Sequence, residues 1–151
     1  MYRLLFAVFL ITRVACAAVD ACAMIPPVDI ASMLGTTKNN GMTTMKLPPK
    51  ATAGKACTYV GKDNSATVIL VKFPAAASAR EYLKTVRDGF EKQSLKTTTE
   101  KFGADDGFSF TSGMLAVKKN VWLRVNVYST AGKVVSPDLT RQLMLDALRA
   151  N

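Results

Sequence analysis

The chain has 151 residues, of which 20 are Lys or Arg, 11 are Asp or Glu and none is His, giving a net charge of +9 at neutral pH. That length suits one domain with a genuine core. A chain without histidine lacks the usual general base, the Ser-His and Cys-His nucleophile pairs and the commonest zinc ligand, while its basic balance suits anionic partners.

Met1-Tyr2-Arg3, an apolar core over residues 4–12 and the small residues Ala15, Cys16, Ala17 and Ala18 follow the order of a secretory signal peptide. The core of about nine residues is far short of the roughly 20 that a spanning helix needs. Ala15 and Ala17 place cleavage after Ala17, with Ala18 as the neighbouring alternative. Residues 1–17 therefore read as a cleaved signal peptide and residues 18–151 as a single domain. Arg13, between core and cleavage site, departs from the usual pattern. It also stands where a lipobox carries an aliphatic residue, so Cys16 is not read as a lipid anchor, and Cys22 after Val19-Asp20-Ala21 fits no better. The expected location is periplasmic or extracellular, with membrane contact peripheral at most.

Without the leader the domain keeps Cys22 and Cys57, an even count that reads as a disulfide in an oxidising compartment. For a loop of about 35 residues the chain-entropy estimate is roughly 4 kcal/mol of stabilisation. Two buried free thiols are the alternative.

Further along, Pro26-Pro27 and Gly35 bracket a short helix with Ile30 and Leu34 on one face. Residues 36–54 lack a clear period and read as a long loop, with at most a weak strand over 42–47. Runs 56–60 and 66–73 are β-rich and joined by the turn-like residues 61–65; the second is apolar on both faces, as an interior strand is. Tyr82, Val86 and Phe90, with Ala79 and Leu83 beside them, give an amphipathic helix over 75–93. After a polar stretch, runs 108–111, 114–118 and 121–128 predict an antiparallel meander with tight turns at Ser112-Gly113 and Lys119-Asn120. In the last strand Val121, Leu123, Val125 and Val127 form the core side. Ser136-Pro137-Asp138 opens a final helix with a buried stripe through Leu139, Leu143 and Ala147. The order α-β-β-α-β-β-β-α argues for an α+β domain with a mainly antiparallel sheet and helices packed on it.

Chemistry has few places to sit. Asp105-Asp106, between Gly103 and Gly107, is read as a turn in preference to a calcium site or an acid-base pair, because Asp and Gly favour turns for backbone reasons. Trp122, Arg124, Asn126 and Tyr128 share the other side of the last strand, with Lys118 and Lys119 across the connection. Aromatic and guanidinium groups on a sheet stack on or pair with ligands; the alternative is that a helix covers this side and Trp122 is core. Basic aromatic sheets also bind single-stranded nucleic acid, a partner that an exported chain does not meet.

Asp20-Ala21-Cys22, a short helix ending at Leu34-Gly35, Ala56-Cys57-Thr58-Tyr59, a helix with Tyr82 and Phe90, and a turn from Gly103 to Phe108 together resemble a group of small secreted bacterial proteins and lipoproteins of unknown function. In these a disulfide joins a Cys before the first helix to a Cys-Thr-Tyr strand. The resemblance spans nearly all of residues 18–151, although Gly103-Ala104-Asp105-Asp106-Gly107-Phe108 departs from the Gly-Asp-Glu-Ala-Phe pattern common there. It implies an exported α+β domain that binds or senses, and supplies no catalytic residue. The expectation is a noncatalytic exported binding module without metal or cofactor. Its partner would be an anionic envelope component, met by the basic aromatic sheet face (Trp122, Arg124, Tyr128, Lys118, Lys119) or by the loop over 36–54. The alternative from another class is an inhibitor or immunity-type protein that plugs an exported enzyme with that loop. A third, an enzyme using Asp105, Asp106 and Lys residues, has least behind it.

Overall fold

The computed structural model describes residues 20–36, 39–130 and 135–151; the signal peptide expected over residues 1–17 lies outside them. In chain order the elements are α1 (Pro27–Leu34), β1 (Asn39–Thr44), β2 (Ala53–Val60), β3 (Asn64–Lys72), α2 (Ala76–Lys92), β4 (Thr97–Thr99), β5 (Asp106–Phe110), β6 (Gly113–Lys118), β7 (Val121–Ser129) and α3 (Pro137–Arg149). The strands form one antiparallel seven-stranded sheet ordered β1-β2-β3-β7-β6-β5-β4. The fold is α+β, and the expected elements occur in the expected sequence.

Two edge strands add to them. The stretch read as a long loop holds β1, which pairs with β2 through a register shift between Asn39 and Met42, and Gly41 there has a φ of 77°. The polar Thr97-Thr98-Thr99 run is β4, paired with β5. Neither has an alternating apolar pattern, because an edge strand is held by backbone hydrogen bonds on one side and needs little burial.

Alternation along each strand divides the remaining side chains between two faces. On one face Cys57, Tyr59, Val68, Leu70, Leu123, Val125 and Val127 pack under α1 and α3. The other face carries Val71, Phe73, Phe108, Leu115, Val117 and Trp122 under α2. Full burial of side chains such as Phe73 and Phe108 stabilises the fold by about 1.5–3 kcal/mol each. In α2 the deepest positions are Ala79 and Leu83, while Tyr82, Val86 and Phe90 are half-buried at its border.

The helices end as their sequences dictate. Gly35 closes α1 in the left-handed region at φ 68°, donating its N–H to the Ala31 carbonyl at 2.9 Å. The Ser136 side chain accepts the Asp138 N–H at 3.3 Å to start α3. A disulfide joins Cys22, ahead of α1, to Cys57 in β2, with Cα atoms 5.1 Å apart. The Tyr59 hydroxyl donates to the Cys22 carbonyl at 2.8 Å, so the segment before α1 is pinned twice to one strand. Among the described residues no helix is long and apolar enough to cross a membrane.

Candidate functional site

Because α1 and α3 share one face, α2 is left to cover the other. It lies over β4, β5, β6 and β7. Beside it, among the described residues, no helix lies over the same face of β2 and β3. The segment between β1 and β2 approaches α2 from the far side, with Met45 and Ala51 against the core and Lys50 Nζ 2.8 Å from Glu81 Oε2. It is therefore anchored and does not project.

Where α2 ends and the open half begins stands Arg124 of β7, in register with Ile69 of β3 and Leu115 of β6. Its guanidinium carbon is 5.3 Å from the Phe110 ring centroid and 6.0 Å from that of Phe90, a cation–π seat on two rings. Its Nε donates to Asn126 Oδ1, and Asn126, only 2% exposed, in turn donates from Nδ2 to the Ser112 carbonyl at 3.2 Å. The arginine is thus held from below and behind. Among the described residues no carboxylate pairs with it, and its two terminal nitrogens have no protein acceptor.

Tyr82 of α2 overlooks the same spot. Burial raises its phenol above the ordinary value, and the Arg124 charge works in the opposite direction. At neutral pH the phenol is protonated in any case and can donate a hydrogen bond. Across the open half, the Thr58 and Thr67 hydroxyls lie 3.1 Å apart on β2 and β3, and Tyr128, 47% exposed, extends the surface along β7. A fixed guanidinium fork with phenol and hydroxyl neighbours can receive a planar anion such as a carboxylate in two parallel hydrogen bonds.

The structure divides the residues that the sequence grouped. Arg124, Asn126 and Tyr128 remain together. Trp122 is 3% exposed, its ring 5.3 Å from that of Tyr82, so it is core beneath α2 and not a stacking platform for ligand. Lys118 is on the opposite face, because Val117 is the β6 residue opposite Trp122 while Lys118 lies opposite Val121. Its ammonium donates to the Leu148 carbonyl at 2.6 Å, near the end of α3. Lys119 occupies the β6–β7 turn at φ 54°. Sequence reasoning placed Tyr82 and Phe90 on the packing stripe of a helix and Phe110 in a strand run, and gave none of them a role in a site; their place beside Arg124 depends on where α2 crosses the sheet, which no local pattern encodes. The carboxylates of Asp105 and Asp106 serve the backbone: Asp105 Oδ2 accepts the Lys119 N–H at 2.6 Å, and Asp106 Oδ1 accepts the Gly107 N–H at 2.8 Å.

Such a molecule is an α+β domain with one antiparallel sheet between helices, closed on one face and half open on the other. The extracellular domain of PknH from Mycobacterium tuberculosis has a similar fold, with a TM-score of 0.60 at 13% identity over 84% of this chain and 92% of that one. No family model matches the chain, and no curated protein is significantly similar to it in sequence.

Proposed function

We propose that this protein is an exported, noncatalytic binding module whose ligand is an anionic component of the cell envelope, bound on the open half of the sheet with Arg124 as anchor. The observation that carries this reading is the seating of Arg124: fixed by Asn126, backed by Phe110 and Phe90, with no carboxylate partner among the described residues. A half-buried guanidinium without a carboxylate partner among the described residues is suited to an anion from outside. Export is supported by the signal-like leader, by the disulfide, and by a fold shared with an extracellular domain. The carboxylate pair that would have to carry catalysis is engaged with backbone N–H groups.

The decisive test is retention on peptidoglycan sacculi and on a uronic-acid polysaccharide at low salt. Wild-type protein should be retained and released as salt rises. Arg124→Gln should reduce retention by at least tenfold, and Arg124→Lys should restore little of it, since an ammonium lacks the two-pronged geometry. Absence of retention on both polymers, or retention indifferent to Arg124, would overturn this reading.

A further inference from the structure

Opposite the open face, at the far end of the sheet, a second cluster of positive charge surrounds a cavity of about 420 Å³. Lys72 at the end of β3, Val121 at the start of β7 and Lys118 at the end of β6 lie in one register row across three neighbouring strands. Strand spacing puts the two lysine backbones roughly 10 Å apart. Lys119 follows in the turn, so three lysines border one cavity.

These charges are not consumed by the protein's own acids. Among the described residues no carboxylate forms an ion pair with any of the three. Asp20, which also borders the cavity, turns one carboxylate oxygen to the N–H groups of Cys22 and Ala23 at 2.9 and 3.2 Å. Lys118 spends one of its three donors on the Leu148 carbonyl, offsetting the negative end of α3, and keeps two. The remainder of the wall is mixed: Asn120 and Asn151 are polar, while Ala23 and Ala150 are small and apolar. Leu70 and Val121 provide an apolar floor, and Met24, two residues after the disulfide at Cys22, provides an apolar side.

We infer that this cavity is a second binding site, for an amphiphilic phosphate: a phosphoryl group among Lys72, Lys118 and Lys119, with an apolar substituent over Leu70, Val121 and Met24. Three separate ammonium donors suit a tetrahedral group with several anionic oxygens, in contrast to the planar fork offered by Arg124. The cavity volume exceeds what an inorganic phosphate fills, and Leu70, Val121 and Met24 give part of the surplus a hydrocarbon lining. Such a phosphate comes either as a free molecule or as the headgroup of a lipid in a bilayer; both present the same chemistry to the site.

The test is calorimetric titration of the purified protein with octyl phosphate and with inorganic phosphate, beside co-sedimentation with phosphatidylglycerol and phosphatidylcholine vesicles. Octyl phosphate should bind at least tenfold more tightly than inorganic phosphate. The double variant Lys72→Gln/Lys119→Gln, which alters two side chains outside the core and leaves the Lys118 bond to α3 in place, should lose at least tenfold in affinity with an unchanged thermal melt. Arg124→Gln should leave octyl phosphate binding intact, which separates this site from the one on the open face. Sedimentation with phosphatidylglycerol that disappears in the double variant would identify the bilayer as source; octyl phosphate binding without sedimentation would identify a free molecule. Equal affinity for octyl and inorganic phosphate, or binding that survives the double substitution, would overturn the proposal.

Discussion

Tyr59 is 3% exposed, and its hydroxyl donates to the carbonyl of the disulfide residue Cys22. Burial raises its phenol above the ordinary value of 10.0, and the Asp20 charge nearby adds to the effect. The linkage has a definite sign. Below the ordinary value both folded and unfolded chains hold the proton, so this group's contribution is intact; above it the unfolded chain ionises first, and stability falls until the folded phenol also titrates. Chemical denaturation of wild-type protein is expected to show a decline that begins near pH 10 and is shallower in Tyr59→Phe. At pH 7 the same variant should lose about 0.5–1.5 kcal/mol, the net value of one hydrogen bond. The aromatic character of position 59 was visible in the Cys-Thr-Tyr run, but its partner was not, because that partner is a backbone carbonyl 37 residues away.

Among the elements, α1 and the β2–β3 hairpin approach closely at one glycine. Gly61 opens that hairpin, its N–H donating to the Asn64 carbonyl at 2.9 Å, and a Cβ built on it would collide with the Leu34 carbonyl at the end of α1. A side chain there must push the helix end or the hairpin aside. Gly61→Ala is expected to cost about 2 kcal/mol or more, measured as a lower denaturation midpoint with an unchanged slope, whereas Gly89→Ala, with open space around its Cβ on the outside of α2, should leave stability equal or slightly raised. The helical stripe of α2 was legible from its period, since Ala79, Tyr82, Leu83, Val86 and Phe90 all lie at core-facing spacings. Its landing place was not. Strand β4 escaped the sequence, and β1 was legible only as a weak strand placed over 42–47, because nothing in Asn39–Thr44 or Thr97–Thr99 alternates; backbone pairing alone puts them at the edges.

At the scale of the whole molecule the disulfide has the longest reach, closing a sequence separation of 35 residues and tying the segment before α1 to an interior strand. Reduction, or the double change Cys22→Ser/Cys57→Ser, is expected to lower unfolding free energy by about 2–4 kcal/mol, read from denaturant curves with and without reductant. By itself the sequence determined the α+β class, the pairing of the two cysteines, the core stripes of the helices and the inward side of β7, since each is written in residue type and local period. Only the tertiary structure decided that Trp122 is core while Arg124 stays open, and that Lys118 faces away from both. Alternation says that a strand has two sides, but which helix covers which side, and how far it extends, is settled by packing three helices onto seven strands.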